Sequence, residues 1–429
     1  EMSSRGLGDV YKRQDGRWRS FREKTIKLKV KLFGFLPWQI KRKALYTEHG
    51  PAIETPHGIY AIRYAGMGEV KQIEQWLAMN KATNFEEWLA ALAQHTFASF
   101  NFVYSYKDGN IAFIHNSMTP VRIPGYNWHN YLPGDKSSLI WDSYISFEKL
   151  PMVINPSSGY LISANQSPFF VTSDKDNPDR KNYSNEDGFP TRMTNRAVRG
   201  LELLSELDKI DEQTFSAIKH DKKYSKNSRA YKYLEKAMLA DLGDLNTQKH
   251  EIYANAQTIL KKWDLSTDKN NRGAALGTCI IGAEWLAEQQ GENPPDPSGE
   301  LKRCTDLLLD KIGRIDPKWG EVNRHIRGEI NVALGGGPDT LRAIYGLGLE
   351  EKGYLTNIAG DGLYYLVSWD KDKKQKVLGI HQFGSATLDE NSPHYADQAL
   401  DFANEILHDP LFDANKRQNK LDRRYRPGQ

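Results

Sequence analysis

Residues 100–116 read FNFVYSYKDGNIAFIHN and contain the pattern that decides the fold class. Phe100, Phe102 and Tyr104 alternate along the chain before an Asp-Gly pair, and the apolar alternation resumes after it with Ile111. A period of two is typical of a strand with one buried face, and an Asp-Gly pair favours the tight turn of a β-hairpin. The segment therefore predicts two antiparallel strands.

Further strands are predicted before this hairpin, at residues 25–35, 43–49 and 57–65. The first of them contains TIKLKVKLF, in which apolar residues alternate with lysines. This alternation predicts a half-buried strand whose lysine face lies in water. Two helices are predicted between these strands and the hairpin, and Asn84 is the expected N-cap of the second helix.

The second half of the chain has a different pattern. From Arg196 to about Gly313 apolar residues recur three and four apart, which predicts helices. Residues 363–383, LYYLVSWDKDKKQKVLGIHQF, predict another hairpin, and a helix is expected from about Pro393 to His408. Strands, then helices, then strands again favour an α+β fold with antiparallel sheets over alternating βαβ units.

The charge balance excludes several classes of partner. The chain of 429 residues has 58 Lys and Arg against 55 Asp and Glu, so its formal net charge is +3. Such a balance provides no strong field for steering onto nucleic acid or an anionic membrane. Basic residues cluster at 17–43 and at 416–426, where solvated surface is the favoured interpretation. No apolar run approaches the length of a membrane span. We therefore expect no nucleic-acid partner and no membrane partner.

The two cysteines are expected to be free thiols. Cys279 and Cys304 lie in predicted helices on either side of the loop at 291–298. In an antiparallel pair of helices, Cys279 would lie roughly 16 Å up one arm and Cys304 roughly 8 Å up the other. A disulfide needs Cα atoms within about 7 Å of each other.

No common catalytic or phosphate-binding signature is present in the sequence. LGGGPDTLRA, residues 334–343, predicts a helix that starts at Asp339 or Thr340, and a tight turn with an N-cap is favoured there over an anion site. DKDNPDRKNYSNEDG, residues 174–188, is acidic, but it departs from the calcium-loop template and is interpreted as a solvated loop. His381 and His394 are interpreted as structural histidines.

One polar segment leaves two interpretations open. Residues 155–168, NPSSGYLISANQSP, predict a short strand at Tyr160–Ile162 that ends in the amide pair Asn165-Gln166. The ordinary interpretation is a strand that ends in a polar turn. The alternative is an amide side chain directed from a strand end into a site.

Several segments in order resemble the β chain of the penicillin acylase family. These segments run from about Asp15 to the chain end and read YTEHGPAI, NFEEWLAAL, FNFVYSYKDGNIAFIH, NPSSGYLISANQSP, TNRAVRGLELL, WGEVNRHIRGE and LGGGPDTLRAIYG. Together they resemble the C-terminal part of that chain. IHQFGSATLDENSPHYADQALDF and the terminal RRYRPGQ are more similar to the acyl-homoserine lactone and aculeacin acylase branch.

The resemblance implies an N-terminal nucleophile hydrolase with an αββα sandwich fold. In this family a precursor cuts itself so that a serine begins the β chain, and its α-amino group activates the hydroxyl that attacks an amide. An asparagine side chain helps to hold the tetrahedral oxyanion, and the matching position is Asn165. An arginine at a downstream helix start positions the substrate or that asparagine, and the matching position is Arg196.

The resemblance also implies the surroundings of the enzyme. The substrate would be a small acylated amide, no cofactor is expected, and the protein would be periplasmic or secreted. Some members hold a structural calcium, but an insertion at 169–191 leaves its ligands unassignable here.

The front of the sequence departs from the family. Residues 1–14, EMSSRGLGDVYKRQ, look like translated adapter sequence, so we expect a fragment that lacks the α chain, the start of the β chain and the nucleophile. The predicted divisions are a first core part at 15–195, a helical excursion at 196–325 and returning core elements at 326–429. Such a chain would itself be inactive. A non-catalytic binding or interaction protein on the same fold remains the alternative, and a serine after glycine at the start of the complete β chain would favour the hydrolase.

Overall fold

The computed structural model describes residues 11–421 and residue 426, and it combines helices with five small sheets. The predicted mixture of helices and mainly antiparallel sheets is present. Most of the predicted foreign segment 1–14 lies outside the described residues, and its last four residues form the first strand. No helix in the described part of the chain is both long and apolar enough to span a membrane.

The chain begins with six strands. Their bounds are β1 (Tyr11–Gln14), β2 (Arg17–Ser20), β3 (Arg22–Leu32), β4 (Leu36–Tyr46), β5 (Pro51–Thr55) and β6 (Gly58–Ala61). β1 and β2 pair with each other, while β3 to β6 form a four-stranded antiparallel sheet in chain order.

The hairpin of β3 and β4 is longer than predicted and is not half-buried. Strand β5 pairs only with Leu45 and Tyr46 of β4, so most of the hairpin extends beyond the sheet. Ile26, Leu28 and Trp38 are consequently exposed, as are the lysines on the opposite face. The expectation of one buried face is therefore wrong for the described residues.

The next elements enclose a first hydrophobic core. They are α1 (Gln72–Lys81), α2 (Phe85–Leu92), β7 (Phe100–Ser105), β8 (Ile111–Asn116) and β9 (Met152–Ile154). The predicted cap is confirmed, because the Asn84 side chain accepts a hydrogen bond from the Glu87 N–H at 2.8 Å. The predicted hairpin is confirmed as well, with Phe102 opposite Ile114, and both pack beneath the two helices.

The helical region holds the largest core. Its helices are α3 (Asn195–Ser205), α4 (Glu212–Lys219), α5 (Arg229–Leu239), α6 (Thr247–Lys262), α7 (Ala274–Gln290), α8 (Pro297–Ile312) and the short α9 (Trp319–Val322). Helices α5 to α8 pack around buried side chains that include Leu234, Leu260, Leu276, Ile280 and Leu308. The predicted helical region is therefore confirmed.

The expectation of two free thiols is wrong. Cys279 and Cys304 form a disulfide between α7 and α8, with their Cα atoms 5.9 Å apart. The expectation assumed that the end of α7 and the beginning of α8 lie at the same height beside the connecting loop. The six residues 291–296 can span roughly 20 Å when extended, which is enough to shift α8 along α7 by the missing distance. Cys304 is fully buried, so the bridge lies in the core.

The chain ends in two further sheets and short helices. The elements are β10 (Asn323–Arg327), β11 (Ile330–Ala333), β12 (Ile344–Leu347), α10 (Leu349–Lys352), β13 (Leu355–Gly360), β14 (Leu363–Trp369), β15 (Gln375–His381), α11 (Ala399–Ala403) and α12 (Ala414–Gln418). Strand order in the larger sheet is β11-β10-β13-β12, in which β10 and β13 are parallel.

The hairpin predicted at 363–383 is confirmed, but the helix predicted at 393–408 is mostly absent. Strands β14 and β15 pair from Leu363–His381 to Trp369–Gln375. Only Ala399–Ala403 is α-helical in the later segment, and Glu405 at φ +62° ends it. The Phe383 carbonyl accepts the Gln398 N–H at 2.8 Å, so the chain before the helix folds back onto the strand end.

Candidate active site

Asn165 projects from a tight turn that its neighbour Gln166 holds in place. The buried Gln166 amide donates to the carbonyls of Ile162 and Phe170, both at 3.0 Å, and accepts the Ala164 N–H at 2.6 Å. Asn165 itself has φ +62° and is exposed. The two amides thus differ in role, since Gln166 stabilises the turn and Asn165 is free to face a ligand.

The short strand predicted before this turn is absent. Residues 160–162 belong to no strand. The Ile162 N–H donates to the Val171 carbonyl at 2.8 Å, and the Thr172 hydroxyl donates to the Tyr160 carbonyl at 2.8 Å. These bonds are isolated, and the turn that follows at once prevents a regular ladder.

Arg196 lies beside Asn165, because the start of α3 is tied to the same turn. Thr194 caps α3 by accepting the Ala197 N–H at 3.2 Å, and its hydroxyl donates to the Ala164 carbonyl at 3.1 Å. Arg196 then donates through Nη2 to the Asn165 Oδ1 at 3.2 Å. The two residues predicted from the resemblance are therefore in contact.

This contact sets the orientation of the Asn165 amide. A guanidinium group only donates hydrogen bonds, so the oxygen of the amide must face Arg196. The Nδ2 group, which carries two protons, is then left for another partner. An amide held in this orientation offers a donor at the surface, as stabilisation of an oxyanion requires.

Asp339 completes the cluster. Its Oδ1 accepts from the Arg196 Nε at 3.1 Å, and its Oδ2 accepts from the Asn195 N–H at 2.7 Å. Burial raises the pKa of the Asp339 carboxyl, and Arg196 opposes that shift. Tyr345 adds a further contact, since its hydroxyl accepts the Asp339 N–H at 3.2 Å.

Sequence reasoning missed Asp339 because it predicted a helix at this position, which is wrong. Residues 334–343 form a folded loop, and β12 begins only at Ile344. Gly336 has φ +96°, and a Cβ there would lie 2.4 Å from the Arg342 carbonyl oxygen. The loop therefore doubles back on itself. The sequence carries no local signal that Asp339 meets a helix start 143 residues earlier.

One cavity adjoins this cluster, and another cavity lies apart from it. One of about 580 Å³ is mainly apolar and is lined by Trp285, Leu286, Pro338, Tyr345 and Ile358, among others. It shares Tyr345 with the cluster. A larger one of about 740 Å³, at His49, Arg122 and Trp141, includes none of the residues of the cluster.

One carboxylate of the acidic loop at 174–188 forms hydrogen bonds with nearby serines. Asp176 accepts hydrogen bonds from the Ser157 and Ser173 hydroxyls and from the Ser158 N–H. No group of three or more His, Cys, Asp or Glu in residues 11–421 is arranged to hold a metal ion. His381 accepts the N–H groups of Phe383 and Gly384 through Nδ1, while His394 pairs with Asp397.

Comparison with known proteins identifies the family. The sequence model of the family described as penicillin amidase matches residues 4–419. This chain belongs to the penicillin amidase family. Penicillin G acylase of Escherichia coli is 31% identical over 165 residues, which are 37% of this chain and 18% of the length of that enzyme. The match to this curated relative is thus far shorter than the relative itself.

A solved structure supports the fold assignment. The thermostable penicillin G acylase from Alcaligenes faecalis superposes with a TM-score of 0.62 over 97% of this chain and 83% of its own chain. Sequence identity in that comparison is 16%, so the likeness concerns the fold alone.

Proposed function

We propose that this chain is part of an amidohydrolase that cleaves small acylated amides through an acyl-serine intermediate. The observation that carries the proposal is the hydrogen bond from Arg196 Nη2 to Asn165 Oδ1, which leaves the amide protons of Asn165 as the outward donor. Family membership supports amide hydrolysis by an N-terminal nucleophile. We also propose that the helices and sheets of this fold form an αββα sandwich.

The proposed chemistry has two steps. The hydroxyl of an N-terminal serine attacks the amide carbonyl while its own α-amino group takes the proton, and the carbonyl oxygen becomes an oxyanion. Asn165 Nδ2 and a backbone N–H donate to that oxygen where the charge develops. The proton then passes to the leaving amine, and water hydrolyses the acyl-serine.

We propose that the nucleophile comes from a part of the protein outside this sequence, together with the α chain. Across residues 11–421 the side chains hydrogen-bonded to Asn165 and Arg196 include no hydroxyl and no thiol. This chain alone would then be inactive.

Substrate class and location are proposals as well. The resemblance of residues 380–402 favours acyl-homoserine lactones or lipopeptide amides, alongside penicillin-like amides. Periplasmic or secreted location is supported by the Cys279–Cys304 disulfide, because such bonds persist in oxidising compartments. Self-cleavage of a precursor, which the resemblance implies, is compatible with a periplasmic or secreted location.

The test compares the complete protein with residues 15–429. Both are assayed for amine release from acyl-homoserine lactones and phenylacetyl amides, and the acyl-enzyme is sought by mass spectrometry after rapid quenching. Turnover and an acyl-serine only in the complete protein are expected. Turnover by residues 15–429 would refute the external nucleophile, and a folded complete protein that binds these amides without cleaving them would favour a non-catalytic role.

A further inference from the structure

The carboxylate of Asp339 joins two parts of the chain that are far apart in sequence. It lies in the loop before β12, yet both of its oxygens bind residues at the start of α3. Its backbone carbonyl also accepts the Asn195 Nδ2 at 2.8 Å. Its side chain is only 7% exposed, so these contacts are shielded from water.

The geometry of the guanidinium connects Asp339 to Asn165. Arg196 gives Nε to Asp339 and Nη2 to Asn165, at 3.1 and 3.2 Å. Because the guanidinium is planar and rigid, a carboxylate that fixes Nε also fixes the direction of Nη2. The position of the Asn165 amide therefore depends on Asp339 through two consecutive hydrogen bonds.

The loop that carries Asp339 is itself fixed to the core. The Arg342 N–H donates to the Asp221 carbonyl at 2.9 Å, and its side chain is fully buried. Arg342 also binds Asp361 at 2.9 Å and the Phe402 carbonyl at 2.6 Å. A carboxylate on such a loop gives Arg196 a rigid reference point.

We propose that Asp339 is a positioning residue, which holds Arg196 so that the Asn165 amide stays directed at the oxyanion. The inference rests on the proposed function, because it needs Asn165 to act on the substrate. The simpler alternative is that Asp339 only stabilises the first turn of α3, as carboxylates do at helix N-termini. The two interpretations predict different kinetics.

Asp339→Asn in the complete protein is the central variant. Each oxygen of the Asp339 carboxylate accepts from one donor, Asn195 N–H or Arg196 Nε. In asparagine an NH₂ group replaces one of these oxygens, so one of the two donors would face amide protons instead of an acceptor. If Asp339 positions Arg196, kcat falls about tenfold while KM changes less than twofold, as for loss of an interaction made in the transition state. Unchanged kcat in the folded variant would overturn the proposal.

Asp221→Asn is a matched control, because Asp221 pairs with Arg199, which lies about one turn after Arg196 on α3. The change alters only the side chain and keeps the backbone carbonyl that accepts the Arg342 N–H. Asp221 binds Arg199 through both oxygens, at 3.2 and 3.1 Å, in a pair that makes no contact with Asn165. We expect Asp221→Asn to lose about as much unfolding free energy as Asp339→Asn, but to keep an unchanged kcat. An equal fall in kcat for both variants would show a general effect of loosening α3 and would refute a specific role.

A double variant tests whether Asp339 acts through Arg196. With Arg196→Lys already present, Asp339→Asn should lower kcat by less than twofold further, because coupled residues are not additive. A fall in kcat equal to the product of the two single-variant effects would show that Asp339 does not act through Arg196. If Asp339→Asn does not fold, Tyr345→Phe replaces it, since that change removes the hydroxyl that accepts the Asp339 N–H. A smaller fall in kcat is then expected, and an unchanged kcat would overturn the proposal.

Two further measurements separate this proposal from the proposed function. Exchange of the Arg196 Nε proton, followed by NMR and assigned with Arg196→Lys, should be at least tenfold faster in Asp339→Asn and unchanged in Asp221→Asn. This readout needs no turnover, and equal exchange would refute the positioning role. Full activity of Asn165→Ala, in contrast, would refute the proposed function of Asn165 whatever Asp339 does.

Discussion

At the scale of single residues, two adjacent amides show how context separates a structural role from a chemical one. Gln166 is 1% exposed and makes three hydrogen bonds within its turn. Asn165 is exposed and contacts Arg196. The same side-chain chemistry therefore leads to opposite expectations for the two positions.

Asn165→Ala is expected to impair catalysis without affecting the fold. Loss of one oxyanion donor lowers kcat by about 10²–10³, or about 3–4 kcal/mol. Because the side chain is exposed, the free energy of unfolding should change by less than about 0.5 kcal/mol. Steady-state kinetics of the complete protein and urea unfolding measure the two quantities.

Gln166→Ala is the paired control for that variant. It leaves buried backbone groups without partners, so a loss of about 2 kcal/mol or more in unfolding free energy is expected. A folded Asn165→Ala enzyme with normal kcat would exclude Asn165 from the site.

Arg196→Lys should lower kcat even though the charge is retained. Lysine cannot reproduce the planar fork that binds Asp339 and Asn165 together. A surface cation at a helix start would instead tolerate the change within about 0.5 kcal/mol. Kinetics of the folded variant decide, and full activity would mean that Arg196 has only that surface role.

His325 should make the protein less stable in mild acid. Its Nε2 donates to the Gln382 carbonyl and its Nδ1 accepts from Asn357, so the neutral ring is fully bonded. Burial lowers the pKa of His325 to about 4. A lowered pKa means that this stability is present above the unfolded value of about 6.5 and is lost as pH falls towards 4.

From pH 7 to pH 5 this group should cost about 2 kcal/mol of unfolding free energy. Urea unfolding at the two pH values measures the loss, and His325→Gln should reduce it by about 2 kcal/mol. Burial also lowers the pKa of His115 to about 4, so a comparable loss from that histidine should remain in the variant. An equal pH dependence in the variant would assign the effect to other groups.

The site residues also show what sequence could supply. Asn165 and Arg196 were found through the resemblance, and the structure places them in contact. Asp339 was missed because its partner Arg196 lies 143 residues away and only the folded loop brings them together. Local patterns report neighbours along the chain, and this contact has no local component.

At the scale of elements, turn chemistry located hairpins better than periodicity located helix ends. The Asp108-Gly109 turn fixed the register of β7 and β8, since Ser105 pairs with Ile111 across it. The helix expected at 393–408 reduced to Ala399–Ala403, because long-range contacts of the preceding loop displaced its start. Both failures of helix prediction, here and at Asp339, lie in loops held by contacts with residues that are distant in sequence.

Removal of the disulfide should destabilise the helical core. The bridge closes a separation of 25 residues, and in the chain-entropy view a loop of that size contributes about 3.5 kcal/mol. Cys279→Ser with Cys304→Ser should therefore lower the unfolding free energy by about that amount. Thermal and urea unfolding, with and without a reductant, provide the measurement. Reductant should destabilise the original protein and leave the double variant unchanged, and insensitivity of both would show that the bridge does not form in solution.

At the scale of the whole molecule, charge is unevenly distributed. Residues 22–46 contain eight Lys and Arg against one Glu, although the chain as a whole has a net charge of only +3. The register places Ile26, Leu28 and Trp38 on one face of the hairpin, which also carries Lys24 and Arg42, and it places Lys27, Lys29, Lys31, Lys41 and Lys43 on the other. The sequence predicted this alternation correctly, but it could not show that the hairpin extends beyond its sheet.

The isolated chain should therefore self-associate through the apolar face of the β3–β4 hairpin. Trp38 is 55% and Leu28 46% exposed, and contiguous exposed apolar surface on a long hairpin favours aggregation. Repulsion among the lysines opposes association at low salt, and salt screens it within a Debye length of about 10 Å at 0.1 M. Light scattering of residues 15–429 should consequently rise as salt is added. Ile26→Thr, Leu28→Thr and Trp38→Thr together should abolish that rise.

The matched control changes the opposite face. Lys27→Thr, Lys29→Thr and Lys41→Thr remove three positive charges and leave the apolar face intact, so association should already be high at low salt and respond weakly to added salt. Both triple variants introduce two threonines in β3 and one in β4, but one set lies on the apolar face and the other on the lysine face. Equal association of the apolar-face variant and the unaltered chain would show that the hairpin is not the responsible surface.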